Sequence, residues 1–405
     1  MSKSILYHGF GIPSSFEYKR TKYQQGKIQF IIQRHLCNCK CSICGSYNVK
    51  PRGIKTRRLR TIPIGKRIVE IIVNITRLEC LDCQIIRQET IGFADRKRTY
   101  THAFEQLVIE LSQHMTIKDV ALYLKTSWDI VKDIQKRNLK KKFGRPNLKG
   151  LKYIAIDEIS VRKGHKYLTV VMDLTGGKIV YVGDGKGIDS LQDFWKRLRR
   201  SKAYIEAVSI DMSPAYIEAV QTNLSHAAIV FDHFHVVKLF NDKLSLLRRK
   251  LHRELNDGLQ KNVLKGTRWL LLKNSENLDN KKNEKQRLEE ALELNKPLAI
   301  AYYMKEDLRQ IWSQQNKNNA KAFLIDWAKR AHASGIQMLK KFANTLTAYA
   351  SGILAYYDHK ISTGPLEGMN NKIKTMKRQA YGFRDLDFFK LKIYALHQTK
   401  YALIG

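Results

Sequence analysis

Asp157 closes an apolar run, "YIAID", and Asp211 closes another, "AVSID". Carboxylates at the ends of neighbouring parallel strands would face one crevice, the usual ligand position in an open α/β sheet. A lone strand-end acid also serves as a turn or a helix cap. In a chain with 73 Lys and Arg against 37 Asp and Glu, however, a pair of acids is suited to a divalent cation. Mg²⁺ takes hard oxygen ligands and keeps waters and substrate phosphates in its shell. Two such ions roughly 3.5–4 Å apart suit in-line attack on a phosphodiester. Glu158 follows Asp157 directly. Successive strand side chains point to opposite faces, so only one of the two enters the crevice, and Asp157 is chosen. A third acid completes such a set. "TGPLEGMNNKIK" supplies Glu367 near a predicted helix start, with Lys372, Lys374 and Arg378 following to meet phosphate. Glu367 can also be read as an acid favoured by the helix N-terminus.

The second chemistry is thiolate. All six cysteines lie between residues 37 and 83. "CSIC" (Cys41, Cys44) and "CLDC" (Cys80, Cys83) are C-x-x-C knuckles, and two knuckles can close a tetrahedral zinc site. Their separation is longer than the usual ribbon spacing, but "GKRIVEIIVNITRLEC" alternates like a strand, so a hairpin could join them. Cys37 and Cys39 are spare and compete as ligands, with His35 a weaker candidate. Between the knuckles, "RGIKTRRLR" carries Arg57 and Arg58 in a basic cluster. It reads equally as a solvated loop and as a phosphate contact.

Elements must position these groups. Net charge is +36, which points to a polyanionic partner. No stretch approaches the roughly 18 apolar residues of a spanning helix, and the N-terminus lacks a signal peptide's apolar core. A cytosolic protein acting on double-stranded DNA or on RNA, with no membrane partner, is expected, and there thiols are metal ligands or free. Length allows two or three domains. Residues 1–98 form the zinc module. Residues 99–150 hold amphipathic helices, with "TIKDVALYL" and "WDIVKDIQKRNLKKK" capped by Thr116 and Ser127. That is a helix-turn-helix pattern, also met in small bundles. Its second helix would carry Lys132 and Arg137 to DNA. "GRP" reads first as a plain linker, though Arg145 could reach a minor groove. From 151 to 235, three meandering strands and then alternating helix and strand predict a mixed α/β layer. Residues 236–350 read as a helical insertion, and 351–405 as the return to the sheet.

Together "AIDE", "SIDMSPAYIEAV", "VFDHFHVVKL" and "GPLEGMNNKIKTMKRQAYGF" resemble the DDE transposases of bacterial insertion sequences, more narrowly the ISL3 family. The resemblance covers nearly the whole chain. It implies an RNase H-like core with a helical insertion, and Asp157, Asp211 and Glu367 as the acids holding Mg²⁺ or Mn²⁺. It implies supporting roles for Asp232 and His235 of "FDHFH", although His235 also reads as a hydrogen-bonded histidine at a helix start. Trp312 lies in the insertion, where some related transposases use an aromatic near the cleaved end, but a buried core tryptophan is the preferred reading. The implied function is binding of terminal inverted repeats, then DNA cleavage and strand transfer into target DNA. At least a homodimer is implied when active, in a bacterial cytoplasm and nucleoid-associated on DNA. A structure-selective nuclease of the same fold and a non-catalytic regulator derived from a transposase are the rivals.

Overall fold

The structure is a computed structural model that describes residues 3–162, 166–255, 263–265 and 267–397. Contacts divide the chain into two compact units, Met1–Arg145 with the segment from Thr375, and Pro146–Lys374.

The first unit begins with helix α1 (Lys3–Phe10) and strands β1 (Phe16–Gln24), β2 (Lys27–Arg34), β3 (Val49–Arg60), β4 (Ile68–Cys80) and β5 (Ile86–Gln88). Sheet order is β1-β2-β4-β3, with β5 also on β4. β4 alternates as its sequence demands: Val69, Ile71, Val73 and Ile75 are buried with Leu6, Phe10, Phe30 and Leu59. The basic cluster, which reads equally as a solvated loop and as a phosphate contact, is most of β3, antiparallel to β4 from Val49↔Cys80 to Arg60↔Glu70. β4 supplies the apolar face, so β3 can carry six Lys and Arg among its twelve residues and still pair. Helices α2 (His102–Leu111), α3 (Ile117–Tyr123) and α4 (Trp128–Phe143) follow. Thr116 accepts from the Asp119 N–H and Ser127 from the Ile130 N–H, as their sequence positions predict. Val108, Val120, Leu124, Val131 and Ile134 form the core of the three-helix group.

The second unit holds the α/β sheet. Its strands are β6 (Tyr153–Arg162), β7 (Lys166–Asp173), β8 (Lys178–Asp184), β9 (Ala207–Ile210) and β10 (Ala228–Phe231). The order is β10-β9-β6-β7-β8. β6, β7 and β8 are an antiparallel meander, while β9 is parallel to β6 and β10 to β9. Helices α5 (Gln192–Ser201) and α6 (Pro214–Asn223) make the crossovers. Phe194, Trp195, Leu198, Tyr216 and Val220 bury them with Ile154, Ile156, Val208 and Ile210.

Helix α7 (His233–Glu254) leaves directly from β10. It is followed by α8 (Arg268–Leu272), α9 (Glu284–Glu293), α10 (Lys296–Arg309), α11 (Lys317–Ala333), α12 (Gln337–Ala348) and α13 (Ala350–Leu354). Phe240 of α7, Trp327 of α11 and Phe342 of α12 meet edge to face, with centroids 4.9 to 6.1 Å apart. The Trp327 indole N–H donates to the Met304 carbonyl at 2.9 Å. Truncating a fully buried tryptophan of this kind costs about 3–5 kcal/mol. Gly352 lets the chain return close to the sheet: a Cβ there would lie 2.5 Å from the Phe231 ring.

Helix α14 (Gly364–Gln379) contains the division between the units, and α15 (Leu386–Ala395) follows it. Residues 351–405 were expected to rejoin the sheet together, but α15 packs on α4 instead. Phe388, Leu391 and Ala395 bury against Leu139. Asp385 also accepts from Lys136 at 2.9 and 3.1 Å and pairs with Lys132 at 3.1 Å.

Candidate active site

The parallel ladder between β6 and β9 ends at Ala155↔Ser209. Asp157 and Asp211 each lie two residues further along, so strand alternation sets them side by side on one face. Asp157 does not end its strand as the apolar run suggested. β6 continues to Arg162 because β7 still pairs with it, Asp157 opposite Val170. Glu158 points the other way, where the Tyr216 hydroxyl donates to its Oε2 at 3.5 Å. Burial raises that phenol to about 12.

Asp157 is held at both oxygens. Oδ1 accepts from the Glu158 N–H at 2.7 Å and Oδ2 from the Asn370 amide at 2.8 Å. Burial pushes its carboxyl above the usual range, and the charges of Asp211 and Glu158 add to this; the Glu158 N–H and His235 oppose it. A carboxylate that is costly to ionise, facing a second acid, is stabilised by a cation between them. Asp211 is likewise half-buried, its Oδ1 accepting from the Ser213 N–H at 3.0 Å.

Glu367 is half-buried in the first turn of α14, its N–H donating to the Thr363 carbonyl at 2.8 Å. Leu366, Met369 and Ile373 are the buried side of that helix within the sheet unit. Asn370 lies three residues beyond Glu367, on the same helical face. The start of α14 is fastened to the start of α7. Asp232 caps α7 by accepting from the Phe234 N–H at 2.6 Å, and its other oxygen accepts from the Thr363 N–H and hydroxyl, both at 2.5 Å. The helical insertion therefore leaves and re-enters at one place. Asp232 is buried and spends both oxygens on this clamp. His235 keeps a buried Nδ1 with no hydrogen-bond partner. Trp312 is half-buried against the core, with its ring 5.9 Å from that of His233.

The four knuckle sulfurs form the one set, among the described residues, in which three or more His, Cys, Asp or Glu ligand atoms lie within 4.8 Å of one another. The three acids are thus more open than a closed metal site. Cys41–Cys83, Cys44–Cys80 and Cys44–Cys83 sulfurs are 3.6, 3.5 and 3.8 Å apart. A tetrahedron with metal–sulfur bonds of about 2.3 Å has edges of about 3.8 Å, so the thiols fit such an ion. The backbone N–H groups of Cys44 and Ile43 draw the Cys41 thiol down to about 6. Burial and its sulfur neighbours push Cys83 up to about 12, so four thiolates together require a cation. Cys37 lies outside the set beside His35 at 3.2 Å, and Cys39 is buried with its sulfur 3.8 Å from Glu89.

The basic candidates divide by what they touch. Arg57 donates to the carbonyls of Asp95 and Arg98 at 2.9 and 2.6 Å. Arg137 donates to the Tyr100 hydroxyl at 2.7 Å and pairs with Glu105 at 3.0 Å and Asp133 at 3.3 Å. Lys132 is held by Asp385. Arg58 lies 3.7 Å from Glu70 but is exposed, as are Arg145, Lys372, Lys374 and Arg378. Sequence reasoning missed Asn370, the Thr363 clamp and Asp385. Of these, only Asn370 left a trace, its spacing of one helical turn from Glu367.

Comparison with known proteins places the chain among DNA transposases. Residues 154–393 match a DDE family of the ISL3 type described as "Transposase". Residues 89–137 match the "Helix-turn-helix domain of transposase family ISL3". The chain belongs to the ISL3 family of transposases, enzymes of DNA cleavage and strand transfer. It is 35% identical over 358 residues to the transposase for insertion sequence element IS1001 of Bordetella parapertussis, covering 88% of each chain. It is 27% identical over 374 residues to that for IS1557 of Mycobacterium tuberculosis, covering 85% of this chain and 82% of the relative. The Drosophila P element transposase strand transfer complex aligns at a TM-score of 0.41 and 12% identity, over 76% of this chain and 94% of that one. No helix among the described residues is long and apolar enough to cross a membrane.

Proposed function

We propose that the chain binds the terminal inverted repeats of its own insertion sequence, cuts the DNA at those ends and joins them to target DNA, with Asp157, Asp211 and Glu367 as its catalytic acids. The observation that carries this is the setting of Asp157 and Asp211 at the end of one parallel ladder, with the Glu367 helix fastened over them through Asn370 and the Asp232–Thr363 clamp. The strand order, an antiparallel meander followed by two parallel strands, supports an RNase H-like core. Mg²⁺ or Mn²⁺, when bound, would supply the charge that activates the attacking oxygen and offsets the leaving one. The chain's part is to hold that charge. Asp157 and Asp211 come from the end of the β6–β9 ladder, while Glu367 stands on the helix held to them by Asn370 and the Asp232–Thr363 clamp. His235, whose charge opposes the upward shift of the Asp157 carboxyl, acts in support.

Zinc in the Cys41, Cys44, Cys80 and Cys83 set would brace β4 and the knuckle that precedes β3, so that Arg58 stands on a fixed strand facing DNA. Arg145, Lys372, Lys374 and Arg378 supply further phosphate contacts, which position DNA without reading it. Arg57, Lys132 and Arg137 have protein partners, so their contact with DNA requires an exchange of those partners for phosphate. Pairing two ends calls for at least two copies in the active complex.

Glu367→Gln tests the third acid. Cleavage of end DNA should fall by at least about 100-fold while end binding stays unchanged, since the variant keeps shape but loses anionic charge. Cleavage within a few-fold of wild type would remove Glu367 from the site.

A further inference from the structure

Three buried polar atoms beside the strand acids have no hydrogen-bond partner: Ser209 Oγ, His235 Nδ1 and Asn370 Oδ1. Asn370 is the most informative. Its residue is 3% exposed, yet only one end of its amide is used. The N–H₂ group donates to Asp157 Oδ2 at 2.8 Å. Turning the amide round would set its oxygen against a carboxylate oxygen, so this orientation is dictated by the contact. A buried acceptor without a donor is destabilising, and a folded chain retains one where a water or an ion completes it.

We infer that Asn370 is a positioning residue for the divalent cation. Its N–H₂ group locks the rotation of the Asp157 carboxylate, and its Oδ1 accepts from a water of the cation's shell. The inference rests on the reading of Asp157 as a metal ligand. A neutral amide suits the position because it provides a donor and an acceptor without adding to the negative charge of the three acids. Asp157 needs the restraint because its Oδ1 already accepts from the Glu158 N–H. With Asn370 on its other oxygen, the carboxylate is fixed in plane before the cation arrives. The same helix carries Glu367 one turn earlier on the same face, so one element presents both residues to the cation.

The test is Mn²⁺ binding to the full chain, read by calorimetry or by the loss of free-ion EPR signal, with zinc already bound. Asn370→Leu keeps the volume and removes the amide. Its thermal unfolding without Mn²⁺ should change little, because the orphaned oxygen and the donor to Asp157 are lost together. Its Mn²⁺ Kd should rise by about tenfold or more, the scale for losing a residue that orients a metal ligand. Asn370→Ala, which cannot clash, should give the same rise. End cleavage should then fall at limiting Mn²⁺ and recover in excess. A Kd within about twofold of wild type in both variants overturns the inference. Asp157→Asn measured alongside separates the two ideas. If it also binds Mn²⁺ normally, the reading of the acids themselves fails; if it alone loses binding, only the role of Asn370 does.

Discussion

Asp211→Asn should abolish cleavage, by about 1,000-fold or more, and leave binding to the element's ends intact. The asparagine keeps the shape and can still accept from the Ser213 N–H, now at 3.0 Å from Oδ1. What it loses is one of two adjacent negative charges at the end of the β6–β9 ladder. Several kcal/mol of transition-state stabilisation depend on the cation those charges hold, and every 1.36 kcal/mol is tenfold in rate. Gel-shift and cleavage assays on the same labelled end measure both quantities. A variant that cuts near the normal rate would show that Asp211 holds no metal. A variant that fails to bind DNA would assign the residue to the interface instead.

Removing zinc should have the second large effect. The sulfur set ties the 41–44 knuckle to the end of β4, and Cys80 is the residue opposite Val49 where β3 begins. Small thiolate sites of this kind supply about 10–16 kcal/mol of apparent folding free energy. Strong chelators, or Cys80→Ser, should therefore unravel the β3–β4 end of the sheet and abolish end recognition. Metal analysis of freshly purified wild type should find one zinc per chain. Protein that binds its ends normally while containing no zinc would contradict this.

Much of the sheet was readable because its strands are apolar runs with turn residues between them, and the helical insertion because its periodicity is unbroken by strand signals. The acids Asp157 and Asp211 stood out for the same reason, as charges closing apolar runs. The misreadings have a physical pattern. β3 looks like a loop because its charges hide a strand whose apolar partner, β4, supplies nearly all of the burial. β6 looks shorter than it is because Glu158 and Ser160 interrupt the apolar run that its pairing with β7 sustains. Asn370 meets Asp157 across 213 residues, and Lys136 meets Asp385 across 249, so no local spacing announces either contact. Arg57 and Arg137 illustrate a related limit. A basic residue in a chain of net charge +36 looks destined for DNA, yet these two find carbonyls, a tyrosine and carboxylates within their own unit.

The most direct test of the central claim is product analysis after the full chain is incubated with duplex carrying its element's end, a second target duplex and Mg²⁺. The predicted result is breaks confined to the element end, each leaving a 3′-hydroxyl, followed by covalent joining of that end to the target. Both steps should vanish when Mg²⁺ is withheld. Cuts that follow DNA structure rather than the end sequence would make the protein a nuclease, and binding without any cut would make it a regulator. Either outcome would contradict end-specific cleavage and joining by Asp157, Asp211 and Glu367.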